Sequence, residues 1–148
     1  VKGDAYEGGT RVPTIVSWPG RAVPGKIQTP AQITDWLPTF AALTGFQAPH
    51  DLKWDGTNLL PQLTAHAAMP DRPLYTVAPG WRARALRYGQ WKLIAFGEGA
   101  KRKNELYDLS ADPQEKNNLA ATEPARLAEM LTRLDLAAAR DRDAVVKD

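Results

Sequence analysis

The pattern of apolar and polar positions divides the chain into two regions of different architecture. Early in the chain, a β-branched run at 12–18 ends at Pro19-Gly20 and predicts a buried strand. A second segment, 34–44, carries apolar residues at helical spacing and is followed by Gly45, a residue typical of helix C-termini. We therefore predict a strand and then a short amphipathic helix that covers a sheet.

From residue 74 onward, short apolar segments replace this pattern. The segments 74–77, 83–88, 90–96 and 105–109 read as strands, and the second and third meet across a tight turn that ends at Gly89. The intervening residues 46–73 are rich in turn signals and predict a connecting loop.

The last segment has the periodicity of an amphipathic helix. Thr122 is placed to cap it and Pro124 to occupy its first turn. One apolar stripe follows at helical spacing, which we expect to pack on the small antiparallel sheet: Leu127, Met130, Leu131, Leu134 and Ala138. Four strands and one helix predict a compact α+β subdomain.

Composition excludes several kinds of chemistry. The 148 residues contain no cysteine, so disulfides and a thiol nucleophile are excluded. A net charge of +2 is too small to indicate a nucleic-acid partner. No apolar run approaches the ~18 residues of a membrane-spanning helix, and no leader-like segment opens the chain. We expect neither nucleic acid nor a membrane as partner.

The candidate chemistry lies at the start of the chain. The ammonium group of Lys2 could offer charge to an oxyanion, and Gly8-Gly9 supply backbone freedom to the loop behind it. Glu7 and Arg11 flank the glycines, and we interpret them as an ion pair that holds this loop. We assign a structural role to Glu7, Gly8, Gly9 and Arg11, and a chemical role to Lys2.

The remaining polar motifs are weaker. His50 and His66 lack a histidine partner at metal-binding spacing, so no metal site is predicted. Asp51 and Asp55 lack the distal glutamate of a calcium loop. Arg82 and Arg84 would share a strand face as a small cationic patch.

Four sequence blocks together resemble the sulfatase family. Residues 2–20 match K-G-x-x-x-E-G-G-x-R-V-P-x-I-V-x-W-P-G, and residues 35–45 match D-x-x-P-T-x-x-x-L-x-G. Residues 87–94 match R-x-G-x-W-K-L-I, and residues 105–119 match E-L-Y-D-L-x-x-D-P-x-E-x-x-N-L. Because the blocks keep their order over nearly the whole chain, the chain resembles the C-terminal part of a sulfatase.

This resemblance implies a fold and a division into domains. Residues 1–45 would form the C-terminal end of the large α/β catalytic domain. Residues 46–73 would form a connecting loop, and 74–148 would form the small antiparallel sheet with its C-terminal helix. The intact enzyme would then be expected in the periplasm or secreted.

The resemblance also implies an activity. Lys2 matches the lysine that contacts the substrate sulfate, and His50 lies in a loop where the family often places substrate-contacting groups. The intact enzyme would hydrolyse sulfate esters of a small molecule or glycan with formylglycine and calcium. The residues that bear them precede Lys2 in the family, so this chain alone, lacking that N-terminal portion, is expected to be inactive.

Other interpretations stay open. A related phosphate- or phosphonate-ester hydrolase has the same site plan, and a non-catalytic carbohydrate- or polyanion-binding module could use Arg82 and Arg84. Ser17 begins a pentapeptide that fits S-x-P-x-R, the pattern that bears formylglycine, but it lies in the predicted strand and no helix pattern follows. We interpret that match as coincidence. A strand at 12–18 without neighbours would favour a dimer or a segment swap of the isolated chain.

Overall fold

The computed structural model describes residues 3–50, 52–97 and 99–140. These residues form two compact units. One, here the sheet unit, consists of Val1–Pro13 and Asp71–Asp148; the other, the middle unit, is Thr14–Pro70. The segment 3–13 thus belongs with the C-terminal part of the chain, although more than fifty residues separate them in sequence.

From residue 74 onward, the strands and the last helix follow the predicted order, whereas one short helix, Leu60–Ala65, lies within the region predicted as a connecting loop. The helices are α1 (Glu7–Thr10), α2 (Trp36–Thr44), α3 (Leu60–Ala65) and α4 (Pro124–Ala138), and the strands are β1 (Leu74–Val77), β2 (Ala83–Tyr88), β3 (Trp91–Phe96) and β4 (Lys103–Asp108). Among the described residues, no helix is long and apolar enough to cross a membrane.

The four strands form one antiparallel sheet in the order β1-β2-β3-β4. Each strand pairs with its sequence neighbour, so the sheet is a simple meander. The register sets Arg87 opposite Lys92, and Lys92 in turn opposite Tyr107. Since side chains alternate between faces, these three residues share one face of the sheet.

The other face carries the main hydrophobic core. Leu86, Leu93 and Leu106 are fully buried there against Met130 and Leu134 of α4. Burial of a leucine or methionine side chain stabilises by roughly 1.5–3 kcal/mol each. The predicted packing of the helix stripe on the sheet, and with it the α+β subdomain, is confirmed.

The first turn of α4 and the arginines on its polar side make further contacts within the sheet unit. Pro124 occupies the first helical position after Glu123, as predicted. The predicted cap is wrong, because the residue that precedes the helix is Glu123 and no side-chain capping hydrogen bond forms; the Thr122 hydroxyl donates to the Leu119 carbonyl at 3.2 Å. The guanidinium groups of Arg126 and Arg133 stack on the rings of Trp91 and Tyr88, respectively.

The middle unit is organised around one buried carboxylate. Asp35 Oδ1 accepts the amide of Thr57 at 2.8 Å, and Oδ2 accepts the amide of Gln32 at 2.7 Å. α2 begins directly after Asp35 and ends at Gly45, whose φ of +72° is the left-handed conformation expected there. The helix predicted over 34–44 is confirmed.

The strand predicted over 12–18 is wrong. These residues form no strand in the described structure, and Ile15 is 93% exposed. A β-branched run becomes a strand only where a neighbouring strand supplies backbone partners. No described strand pairs with this run.

Candidate functional site

The segment that follows Lys2 is fixed on the open face of the sheet. Lys2 itself lies outside the described residues, so its contact with sulfate stays a prediction. Ala5 is fully buried among Ala83, Ala85 and Ile94. Small alanine side chains on β2 leave room for the backbone of the segment to approach the sheet. The loop behind Lys2 is therefore a packed part of the sheet unit.

Four charged side chains anchor this segment. Nζ of Lys92 donates a hydrogen bond of 2.9 Å to Oε1 of Glu7 and lies 2.8 Å from Oε1 of Glu115. Oε2 of Glu7 lies 3.5 Å from Nη1 of Arg87. We call Glu7, Arg87, Lys92 and Glu115 the anchor cluster.

The anchor cluster balances two positive against two negative charges in a buried setting. Lys92 is only 3% exposed, and both glutamates are buried. An unpaired charge at such a depth would be costly, so Lys92 and the two glutamates depend on one another. Glu115 also accepts the backbone amide of Glu7 at 2.5 Å, which fixes the start of α1 directly.

The backbone of Glu115 supports this role. Its φ of +55° places a non-glycine residue in the left-handed region, which is unfavourable unless the surroundings impose it. The amide of Glu115 donates to the carbonyl of Asp112, and the Asp112 carboxylate accepts the amides of Lys116 and Asn117. This turn aims the Glu115 carboxylate at Lys92 and Glu7.

Two expectations for the loop are corrected. Glu7 pairs with Lys92 and Arg87, while the side chain of Arg11 is exposed, so the expected Glu7–Arg11 ion pair is wrong. Gly8 and Gly9 lie within α1, and neither has a positive φ. The conformational freedom of glycine is therefore not used there. Their remaining structural role, like that of Arg11, stays a prediction.

A second polar contact lies beside the anchor cluster. The hydroxyl groups of Tyr6 and Tyr107 both donate to Oε2 of Glu105, at 2.6 and 2.7 Å. Burial, and then the hydrogen bond and the negative charge of Glu105, raise the pKa of Tyr6 to about 12. The same causes raise the pKa of Tyr107 well above its ordinary value. Both phenols thus remain protonated donors at neutral pH.

Both histidines lie in the middle unit. His50 is exposed in a turn of the middle unit, and its substrate contact stays a prediction. The ring of His66 is 3.3 Å from the carbonyl of Val23, and His66 ends α3 in the left-handed conformation. Within the described ranges, no group of three or more His, Asp or Glu residues could hold a metal ion. A calcium site thus finds no ligand set among them.

The two arginines of the alternative polyanion site do not both lie on β2. Arg84 lies on the strand, with its guanidinium 5.5 Å from the centre of the Trp81 ring. Arg82 precedes the strand, and its Nε donates to the Pro79 carbonyl at 3.0 Å. Arg84 also lines an open cleft of about 400 Å³ with Arg102 and Asp135.

Sequence analysis assigned no role to Lys92 and Glu115, which hold the loop after Lys2. Both belong to matched blocks, W-K-L-I and D-P-x-E. The available signal was a lysine inside an otherwise apolar strand. Such a lysine, if the strand is buried, requires a carboxylate partner.

Comparison with known proteins identifies the family. The chain matches the family "N-sulphoglucosamine sulphohydrolase, C-terminal" over residues 2–140. It is 32% identical to arylsulfatase K of Xenopus laevis over 84% of this chain and 25% of that protein. It is 36% identical to arylsulfatase A of Bos taurus over 87% of this chain and 26% of that protein.

Solved structures agree. One, from work on glycosaminoglycan metabolism by Bacteroides thetaiotaomicron, superposes with a TM-score of 0.60 at 28% identity, over 72% of this chain and 24% of that chain. Another, described as a 2-O GAG sulfatase, gives a TM-score of 0.56 at 27% identity, over 76% of this chain and 26% of that chain.

The chain therefore belongs to the family of sulfatase C-terminal regions, and the predicted membership is confirmed. It spans about a quarter of the length of the curated relatives it matches.

Proposed function

We propose that this chain is the C-terminal part of a sulfuric ester hydrolase, and that it holds Lys2 for contact with the substrate sulfate. The supporting observation is the anchor cluster, which ties the segment directly after Lys2 to the sheet by buried ion pairs. A lysine on a fixed segment offers its charge without reorganisation as negative charge develops on the sulfate.

The proposal assigns the rest of the chemistry to residues outside this chain. Formylglycine would supply the nucleophile and calcium would offset sulfate charge in the intact enzyme. By the resemblance to sulfatases, both would belong to the catalytic portion that precedes Lys2 in that family. Residues 1–45 would then complete that domain and 74–148 would form the small domain, with 46–73 between them.

The relatives support a proposal for the substrate class. One relative is an N-acetylgalactosamine-6-O-sulfatase of Bacteroides thetaiotaomicron, 34% identical over 87% of this chain. A structural neighbour at 27% identity is described in complex with a neocarrahexaose. We propose a sulfated sugar as substrate, with His50 as an additional contact. A periplasmic or secreted location remains part of this proposal.

Sulfate release by the source protein tests the function. We expect the protein purified from its source, and its recombinant copy, to release sulfate from an aryl sulfate or a sulfated amino sugar. Lys2→Ala should lower kcat/KM at least a hundredfold, because it removes one charge that stabilises the transition state. Lys26→Ala is the matched control, since Lys26 is an exposed lysine of the middle unit.

Two results would count against the proposal. Full activity of Lys2→Ala would show that Lys2 does not contribute to sulfate-ester hydrolysis. Sulfate-ester hydrolysis by the 148-residue chain alone would show that it needs no additional catalytic residues.

A further inference from the structure

The turn between β1 and β2 holds an exposed tryptophan in an unusual backbone conformation. Trp81 is 60% exposed and has a φ of +57°, directly after Gly80 at +68°. Glycine adopts this region freely, whereas a tryptophan there is strained. Neither the packing of the sheet nor the anchor cluster uses this side chain.

Several contacts fix the turn, so the exposure of Trp81 is built into it. The amide of Trp81 donates to the Ala78 carbonyl at 3.1 Å, and the amide of Ala78 donates to the Ala83 carbonyl at 2.8 Å. Arg82 closes the turn through the Pro79 carbonyl, and the Arg84 guanidinium packs on the Trp81 ring. A large aromatic ring is thereby presented to solvent at little further entropic cost on binding.

The turn also lies beside the segment that carries Lys2. A Cβ placed on Gly3 would be 3.7 Å from Cγ of Pro79, so Gly3 lies beside the Pro79 ring. Gly3 is bonded to Lys2, and one residue, Gly80, separates Pro79 from Trp81, so the Cα atoms of Pro79 and Trp81 are at most about 7 Å apart.

We propose that Trp81 stacks on a sugar ring of an anionic oligosaccharide, with Arg82 and Arg84 supplying positive charge beside it. A rigid aromatic side chain flanked by arginines is typical of binding hot spots. Guanidinium groups suit sulfate and carboxylate groups. The inference rests on the proposed function for its ligand class, and it adds a contact beyond the sulfate that would be cleaved.

Binding to the 148-residue chain tests this contact without any turnover. The probes are a heparin-derived sulfated tetrasaccharide, its desulfated form and inorganic sulfate, followed by NMR of the five tryptophan indole N–H groups. We expect the sulfated probe to shift the Trp81 signal saturably. Trp81→Ala should weaken binding at least tenfold, and Trp81→Phe less, because a ring remains.

Phe46→Ala is the matched control, because Phe46 is 57% exposed and lies in the middle unit. It should leave the dissociation constant unchanged. The melting temperature and circular dichroism of each variant establish that it is folded. If Trp81→Ala does not fold, Trp81→Phe and the Trp81 signal of the unmodified chain still decide the question.

Four results would overturn the inference, and one further result would bear on the proposed function instead. An unchanged Trp81 signal, or an affinity of Trp81→Ala for the sulfated probe equal to that of the unmodified chain, would show that Trp81 does not stack on the sugar. An equal shift of the Trp81 signal with inorganic sulfate would show an anion site that does not recognise the sugar. Equal affinity for the desulfated probe would show that binding does not need the sulfate groups. A source protein that binds the tetrasaccharide but hydrolyses no sulfate ester would refute the proposed function and leave this contact standing.

Discussion

Lys92 and Glu7 are 85 positions apart in sequence and are joined by a hydrogen bond of 2.9 Å between Nζ and Oε1. The first belongs to a strand of the C-terminal sheet and the second to the segment that follows Lys2. Because both side chains are buried, the pair ties the start of the chain to its C-terminal sheet. The loop expected to present the sulfate-binding lysine thus depends on a residue of β3 that is remote in sequence.

Replacement of Lys92 by methionine tests the anchor cluster. Lys92→Met would leave Glu7 and Glu115 buried without their shared cation, at a cost of about 3–5 kcal/mol in the free energy of unfolding. Denaturant unfolding measures this loss, and hydrogen exchange at the Glu7 amide reports whether the loop is released.

Lys116→Met is the control, since Lys116 is exposed and its replacement should change stability by less than about 0.5 kcal/mol. Lys92→Met with Glu115→Gln should recover part of the loss, because one of the two carboxylates is then neutral. Equal stabilities of Lys92→Met and the unmodified chain would show that the anchor cluster does not hold the loop.

The Tyr6–Glu105 contact predicts a loss of stability in alkali. The folded-state pKa of Tyr6 is raised from 10.0 to about 12, so between these values the folded state holds a proton that the unfolded state has lost. The free energy of unfolding therefore falls as pH rises from 10 to 12, and the contribution of this phenol is complete below pH 10. Denaturant unfolding at several pH values measures the slope.

Tyr6→Phe should make this slope shallower, because it removes one of the phenols whose pKa is raised. Tyr107 keeps part of the slope, since its pKa is raised by the same carboxylate. An identical slope in Tyr6→Phe would contradict the assignment. Absorbance of tyrosinate near 295 nm provides an independent titration of the same groups.

The elements of the sheet unit were predictable because their signals are local. The patterns over 74–77 and 83–88 predicted both strands with the bounds observed. The apolar stripe predicted which face of α4 packs on the sheet. The run 12–18 failed for the converse reason, since whether it forms a strand depends on neighbours that its own sequence does not contain.

The candidate site was less predictable because its contacts are remote in sequence. Arg11 is close to Glu7 along the chain, and that proximity suggested the wrong partner. Lys92 and Glu115 become partners of Glu7 only once the sheet and the turn at Asp112 have formed. A matched family block marks such residues but does not say which pairs meet.

Asp35 offers a test of the middle unit by itself. Asp35→Ala removes the acceptor of the Gln32 and Thr57 amides, at about 1–3 kcal/mol for each amide left without a partner. Hydrogen exchange at these two amides should accelerate, and the middle unit should unfold at lower denaturant concentration. Asp55→Ala is the control, since Asp55 is exposed. Unchanged exchange at Thr57 would show that Asp35 does not organise this unit.

The apolar side chains of α2 predict self-association of the isolated chain. Leu37 and Phe40 are 65% and 54% exposed, and Ile33 just before the helix is 83% exposed. Contiguous exposed apolar groups favour association, as a dimer or through exchange of segments. Light scattering should therefore give a mass above the 16.3 kDa of one chain at raised concentration.

Leu37→Glu should shift this equilibrium toward the monomer, because a charge at the centre of the apolar face opposes its burial. Leu136→Glu is the matched control: Leu136 is 60% exposed on α4, and its replacement should leave the association unchanged. A monodisperse monomer of the unmodified chain at every concentration would refute the prediction. An equal effect of both variants would show that net charge, and not the face of α2, controls association.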